Sequence, residues 1–384
     1  MKKLPALLAA GLAICLTACA ASNGFSGSET LSKGVSRAAD DSVTYHYGAV
    51  TEAPTSYNNF ANTATGFSLK LFRNAYADGV TAISPANAYL QLGLLANGVK
   101  GSTRTEILLA LGAELDLDSL NACCSYFKSR LQETGKAKEN DKTAPMTLSG
   151  TLFAPEQAEV RRAFLQLNAD YYDDEVIRYN YETGGEKLRA YLGDSFTLGK
   201  EDSLTSYTKL SLNDAWLNPS LQSEEYTMHS GAATGVLKYT AQTPLKALFI
   251  MPESGDLAQY VKTFDSVEYS KLLDSVDVTK REKVSLPSFQ TRGQTTELSS
   301  NLARIGLYTL FGEDADFGAL SFTEELTLSA FYDTTPSLTV TAQGITENAA
   351  ATPDAASGNT ADTPFLFLLV DNETNLPIYI AAVA

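Results

Sequence analysis

The sequence predicts an α+β fold with helices early and strands late. Three observations point there. Helix-start and helix-stop signals crowd between Ser84 and Tyr171, strand-like apolar runs dominate from Ala247 onward, and no second linker or internal repeat interrupts the body that begins near Phe60. Segregated helices and strands indicate α+β, where regular alternation would indicate a doubly wound α/β sheet. Ser84-Pro85 pairs a capping hydroxyl with a first-turn proline, and the run through Leu95 stops at Gly98. Thr103 and Glu106 have capping-box spacing ahead of Ile107-Leu108-Leu109, with Gly112 as the stop. Leu117, Leu120, Cys124, Phe127 and Leu131 recur at helical spacing. A further helix is predicted from Pro155 to about Tyr171. The strands read as Ala247 to Met251, Val284 to Phe289, Thr327 to Phe331, Leu338 to Val340, Phe365 to Val370 and Ile378 to Val383.

The chain has 384 residues, 44% of them hydrophobic and 19% charged, enough to bury a large core. Its formal charge of -16 becomes -18 once a leader holding Lys2 and Lys3 is removed, which disfavours nucleic acid as a partner. Lys2-Lys3 precede a 13-residue apolar run, Leu4 to Leu16, too short for a spanning helix and suited to a signal-peptide core. With Leu16-Thr17-Ala18-Cys19 the stretch resembles a bacterial lipoprotein leader, residues 1–18, with Cys19 as the acylated first mature residue; the alternative is an ordinary leader cleaved nearby. Either way the mature protein is expected outside the cytoplasm, and acylation would anchor it to the cell surface or the outer face of a bacterial membrane. Residues 19–59, rich in Ser, Thr, Ala, Gly and Asn, read as a flexible tether. Of the remaining cysteines, Cys123 and Cys124 are adjacent, a spacing that strains a mutual disulfide, so Cys124 reads as a packed thiol.

Catalytic and cofactor signatures are sparse. Histidine occurs only at His46 and His229, and no G-x-S-x-G accompanies either. Clustered metal ligands, C-x-x-C pairs and phosphate-binding glycine loops are missing, so no metal and no cofactor is expected, and no enzyme. Two S-x-x-K spacings, Ser125 to Lys128 and Ser206 to Lys209, motivate a lipoprotein hydrolase as a minor alternative, but the companion K-T-G is absent.

A series of motifs then runs in order from residue 60 to 384: Ile83-Ser84-Pro85-Ala86-Asn87-Ala88-Tyr89, Asn97-Gly98-Val99-Lys100-Gly101-Ser102-Thr103, Ile107 to Gly112, Tyr171-Tyr172 with Glu175-Val176, Leu212-Asn213 and Ile250-Met251-Pro252. Val284 to Phe289, Leu302 to Phe311, Ala315-Asp316-Phe317, Thr363-Pro364-Phe365-Leu366-Phe367 and Asp371-Asn372 continue it. Together with Gly344-Ile345-Thr346-Glu347-Asn348-Ala349-Ala350-Ala351-Thr352, these segments resemble the serpin family, the last one its reactive-loop hinge. The resemblance implies helices packed on a large mixed central sheet plus smaller sheets, with an exposed reactive loop at about 342–363. It implies a monomer that inhibits serine proteases as a suicide substrate: the protease cuts the loop, and the cut loop inserts into the central sheet. Small hinge side chains suit a segment that must slide between strands. The resemblance also assigns the sheet-opening region to Ser84, Asn87, Asn213 and Thr334, the last standing where the family has a histidine.

Counting from the hinge threonine puts the scissile bond at Asn359-Thr360; counting from the hinge glycine puts it at Gly358-Asn359. Neither offers a basic residue, so the implied targets are elastase-like or subtilisin-like. Departures from the family pattern are Ala342 where Glu is usual, the intervening Ile345, Asn348 for an alanine, Pro353, and a loop that reaches Pro364 several residues early. They motivate the rival expectation of a non-inhibitory, serpin-fold surface binding protein.

Overall fold

The computed structural model describes residues 28–36, 53–112, 115–132, 144–183, 202–213, 221–240, 243–279, 288–341, 344–348 and 363–384. Its helices are α1 (Tyr57–Ala77), α2 (Pro85–Gly98), α3 (Gly101–Ala110), α4 (Leu117–Leu131), α5 (Arg162–Tyr171), α6 (Leu257–Thr263), α7 (Ser266–Asp274) and α8 (Ser299–Arg304). Its strands are β1 (Ser28–Thr30), β2 (Ala82–Ile83), β3 (Met146–Pro155), β4 (Glu175–Tyr179), β5 (Leu204–Leu212), β6 (Leu221–His229), β7 (Ala233–Thr240), β8 (Leu245–Pro252), β9 (Phe289–Thr291), β10 (Gln294–Glu297), β11 (Leu328–Thr335), β12 (Ser337–Val340), β13 (Ile345–Asn348), β14 (Phe365–Asp371) and β15 (Pro377–Val383).

Two six-stranded sheets face each other, ordered β1-β4-β3-β5-β11-β10 and β2-β15-β14-β8-β7-β6, and β13-β12-β9 forms a smaller third. Between the large sheets runs α2, all fourteen of whose residues are buried. A helix apolar on every side has to lie inside the protein, and Leu90, Leu92, Leu94 and Leu95 supply that surface. The second sheet's central strands, β8 and β14, are near-continuous apolar runs, as burial on both faces requires.

The first sheet and the small one are a single ladder interrupted once. Gln294 pairs with Thr335 and Thr291 with Leu338, the same register on both sides of Pro336. Pro336 donates no backbone hydrogen bond, and Gly293 lies so close to it that a Cβ would approach Ser337 N to 2.7 Å. Side-chain alternation inverts across this kink: Phe331 and Leu338, seven residues apart, both enter the main core, which strict alternation forbids.

Several expectations need correcting. The strands β3 and β4 lie within the part read as helical, and β5, β6 and β7 precede Ala247, where the first strand was expected. Pro155 ends β3, paired with Tyr179, so the helix predicted from Pro155 starts only at Arg162, after Val160 bridges Ser321. Thr103 is no cap: α3 starts at Gly101, Thr103 Oγ1 accepts from Asp316 N, and the Glu106 carboxylate accepts from Thr309 N and Leu310 N. Within 19–59, read as flexible throughout, Ser28–Thr30 form a strand and α1 opens at Tyr57. Val284 to Pro287 lie outside the described residues; Phe289 starts β9 as expected.

Candidate functional site

The seam between β5 and β11 organises the site. These strands run parallel and are directly hydrogen-bonded, from Leu328 opposite Leu204 to Thr334 opposite Lys209. β3 and β4 pair in parallel too; at β5–β11, a strand running opposite to both could replace one parallel pairing with two antiparallel ones. Beyond Lys209 the seam parts. There β13 turns back on β12 as an antiparallel hairpin, Ser337 opposite Asn348 and Val340 opposite Ile345, closed by Thr341 N donating to Gly344 O at 2.9 Å. Because β9 holds the other edge of β12, β13 takes the side of β12 that faces β5.

The Glu347 carboxylate fixes that position by accepting from Leu212 N, at the end of β5, at 2.5 Å. Ile345 is fully buried, which gives this departure from the family pattern a role: it plugs the hairpin into the core. Gly344, Ile345, Thr346 and Glu347 are thus brought together with the ends of β5 and β12, along with the backbone of Asn348. Ala349, Ala350, Ala351 and Thr352 and both candidate scissile bonds, Gly358-Asn359 and Asn359-Thr360, lie outside the described residues, as does Cys19.

Below the hairpin the seam is latched from the core side. Asp333 is buried on β11; its Oδ2 accepts from Ser84 N at 2.7 Å and its Oδ1 from Thr208 Oγ1 at 2.8 Å. One carboxyl therefore ties β5, β11 and the entrance of α2 together. Burial pushes its pKa up to about 7, opposed by the hydrogen bonds from Ser84 and Thr208. Ser84 does not cap α2; its Oγ donates to Ile378 O at 3.0 Å, tying the helix start to the second sheet. One turn on, Asn87 Nδ2 donates to Ser149 O on β3 at 3.3 Å.

Ser84 and Asn87 thus sit on the core side of the first sheet. The other two sheet-opening residues do not. Asn213 N and Nδ2 donate to Pro145 O and Ala144 O, so it ties the end of β5 to the start of β3, near the hinge. Thr334 points away from the latch, its Oγ1 2.8 Å from Thr295 Oγ1 on β10. The bonds beneath the seam are made by Asp333 and Thr208. The signal was available: an acidic residue inside the strand-like run Leu328–Thr335 is costly unless bonded.

Neither S-x-x-K spacing forms a nucleophile-base pair. Lys128 is buried, with Nζ donating to Asp174 Oδ1 and Tyr172 O, both at 2.5 Å. Ser206 and Lys209 lie three apart on β5 and so face opposite sides, one buried and one exposed. Cys123 and Cys124 are both free and buried, and burial pushes both thiols up.

A mixed sheet in which the parallel strands β5 and β11 stand side by side, with the β12–β13 hairpin at their parted end and helices packed against it, defines an α+β domain. The sequence profile described as Serpin (serine protease inhibitor) matches residues 62–190 and 221–384, and this chain belongs to the serpin family. An uncharacterised serpin-like protein of Methanosarcina acetivorans is 26% identical over 148 residues, covering 36% of this chain and only 34% of that protein. Alpha-1-antitrypsin 1-2 of Mus musculus is 22% identical, covering 86% of this chain and 90% of its own. In structure the chain resembles the thermophilic serpin tengpin in the native state (TM-score 0.71, 21% identity, 93% of this chain and 99% of that one). It also resembles human thyroxine-binding globulin complexed with its hormone (TM-score 0.69, 17% identity, 86% and 99%).

Proposed function

We propose that this chain is an extracellular inhibitor of serine proteases, anchored to a membrane surface through acylated Cys19, that acts as a suicide substrate. The observation that carries the reading is the directly paired β5–β11 seam with its hinge already seated at one end. The protease serine Oγ attacks the carbonyl carbon of Asn359, or of Gly358; the peptide bond breaks, an ester forms, and the leaving amine takes a proton to become a new N-terminus. The freed strand then zips between β5 and β11, carrying the acylated protease with it.

A strand from Thr346 to Ser357 is 12 residues, roughly 40 Å at ~3.3 Å per residue. At about 0.5–1.5 kcal/mol per net hydrogen bond, its ladder contributes on the order of 10 kcal/mol, so the uncut fold is held by a kinetic barrier. The small and polar residues from Ala355 to Ala361 suit proteases of elastase or subtilisin type. Incubation with such enzymes is expected to give a covalent complex that survives boiling in detergent. A stable complex with a trypsin-like enzyme and none with the others refutes the specificity.

One observation favours the rival, a non-inhibitory binding protein: the fold is shared with a thyroxine-binding globulin. Cleavage without complex, and without a rise in thermal stability, decides for it.

A further inference from the structure

The stretch ahead of the domain is moored. Ser28 pairs with Tyr179 and Thr30 with Ile177, antiparallel along the outer edge of β4. Leu31 N donates to Val176 O at 2.8 Å, Val176 N to Ser32 Oγ at 3.1 Å, and Gln166 Nε2 on α5 to Ser36 O at 3.1 Å. Glu29 and Arg178 form an ion pair across the two strands.

Direction follows from register. Ser28 lies level with Tyr179, Tyr179 with Pro155, and Phe153 with Thr205, so the chain leading back to Cys19 departs where β3 ends and β5 begins. The hinge lies at the opposite end of the same sheet, beside Leu212. The ten residues of β3 span about 30 Å between those ends. Cys19 precedes Ser28 by nine residues, a reach of at most about 30 Å, whereas an unmoored leash running to Tyr57 would reach four times as far.

That end of the molecule is a firm platform. Phe322 N donates to Glu159 O, Thr323 Oγ1 to Gln157 O and Ser321 Oγ to Glu159 O, knitting two loops together. Phe322 is 61% exposed, with the Arg161 guanidinium 3.7 Å from its ring centre. Aromatic rings with a cationic neighbour suit the headgroup region of a bilayer. Glu156, Glu159, Glu324 and Glu325 outnumber Arg161 and Arg162 there, so attraction to anionic lipid is not the driving term.

We infer that β1 orients the anchored protein, with the Phe322 platform toward the lipid surface and the hinge pointing away from it, accessible to proteases arriving from outside. This rests on the reading of Cys19 as the anchor. To separate the two, the mature chain is attached to phosphatidylcholine vesicles bearing nickel-chelating lipid through a His tag replacing residues 1–19. A fluorophore is placed at Glu324→Cys or Gln290→Cys, both exposed, while Cys123 and Cys124 stay buried. Energy transfer to a lipid-borne acceptor is expected to be roughly tenfold faster from position 324, given ends about 30 Å apart. Leu31→Pro, which removes the N–H to Val176, is expected to bring the two rates together. Equal rates in the parent chain, a faster rate from position 290, or a ratio that Leu31→Pro leaves unchanged overturns the inference. Mass spectrometry of Cys19 from a lipidating bacterial host tests the anchor itself.

Discussion

Asp333 is the buried group whose charge state the seam should feel most. Its carboxyl has an ordinary value of 3.8 and is pushed up to about 7 in the fold. The folded protein therefore keeps the proton to higher pH than the unfolded chain does. Stability from this group is fully present below about pH 4, falls as pH rises toward 7, and levels off above it. A shift of about three units at ~1.4 kcal/mol each sets an upper bound of about 4 kcal/mol. Besides Ser84 and Thr208, the titratable group it faces is Tyr379, whose own pKa Asp333 helps to raise. Asp333→Asn removes the titration and keeps the contacts. Oδ1 of the amide can accept from Ser84 N, while Nδ2 donates to Thr208, whose hydroxyl can turn to the Tyr332 carbonyl 3.2 Å away. Denaturant unfolding of both proteins at pH 4 and pH 8 is expected to give matching stabilities at pH 4 and a more stable variant at pH 8. A gap of the same size at both pH values refutes the reasoning.

Four further outcomes are expected. Lys128→Met strands the buried Asp174 carboxylate and should cost about 3–5 kcal/mol in unfolding free energy, far more than Lys209→Met on the exposed face of β5. Gly150→Ala would bring a Cβ within 2.0 Å of Gln91 Oε1 and 2.4 Å of Asp174 Oδ2, and should lower stability by at least 1–3 kcal/mol, measured by thermal unfolding. Glu347→Ala leaves Leu212 N without its acceptor, and hydrogen exchange at 345–348 should speed up, by a factor matching about 1–3 kcal/mol. Pro353→Ala restores a ladder donor to the inserting strand, and fewer inhibitor molecules should be consumed per protease inactivated, titrated against an elastase-like enzyme.

The second half of the fold was legible because its strands are apolar on both faces. Phe365 to Val370 and Ile378 to Val383 announce themselves whatever their neighbours. The strands β3 and β5 were not, since Met146–Pro155 and Leu204–Leu212 carry serines, threonines and a glycine that only make sense beside α2 and the hinge. Capping logic failed for a related reason. Ser84 and Glu106 have the right spacing, but tertiary partners at Ile378, Thr309 and Leu310 take their hydrogen bonds. At the site, resemblance and position before Pro364-Phe365, not composition, singled out the segment from Gly344; Ile345 to Asn348 form β13 beside β5, and the small residues that follow lie outside the described residues. The latch was legible but not singled out: Asp333 lies two positions from the core residue Phe331 on β11, where simple alternation puts it on the core face.

The kink at Pro336 bears on any strand that enters the seam. The hairpin register sets Asn348 against Ser337, one position short of Pro336, where the sheet's two faces trade places. A bulky side chain there would have to swap sides while moving. Alanine has nothing beyond Cβ to swap, and Ala349, Ala350 and Ala351 follow Asn348 in the sequence. On the proposed insertion, three small residues in succession would act as a sleeve, letting the chain rotate by one position as it passed the proline before larger residues committed to a face.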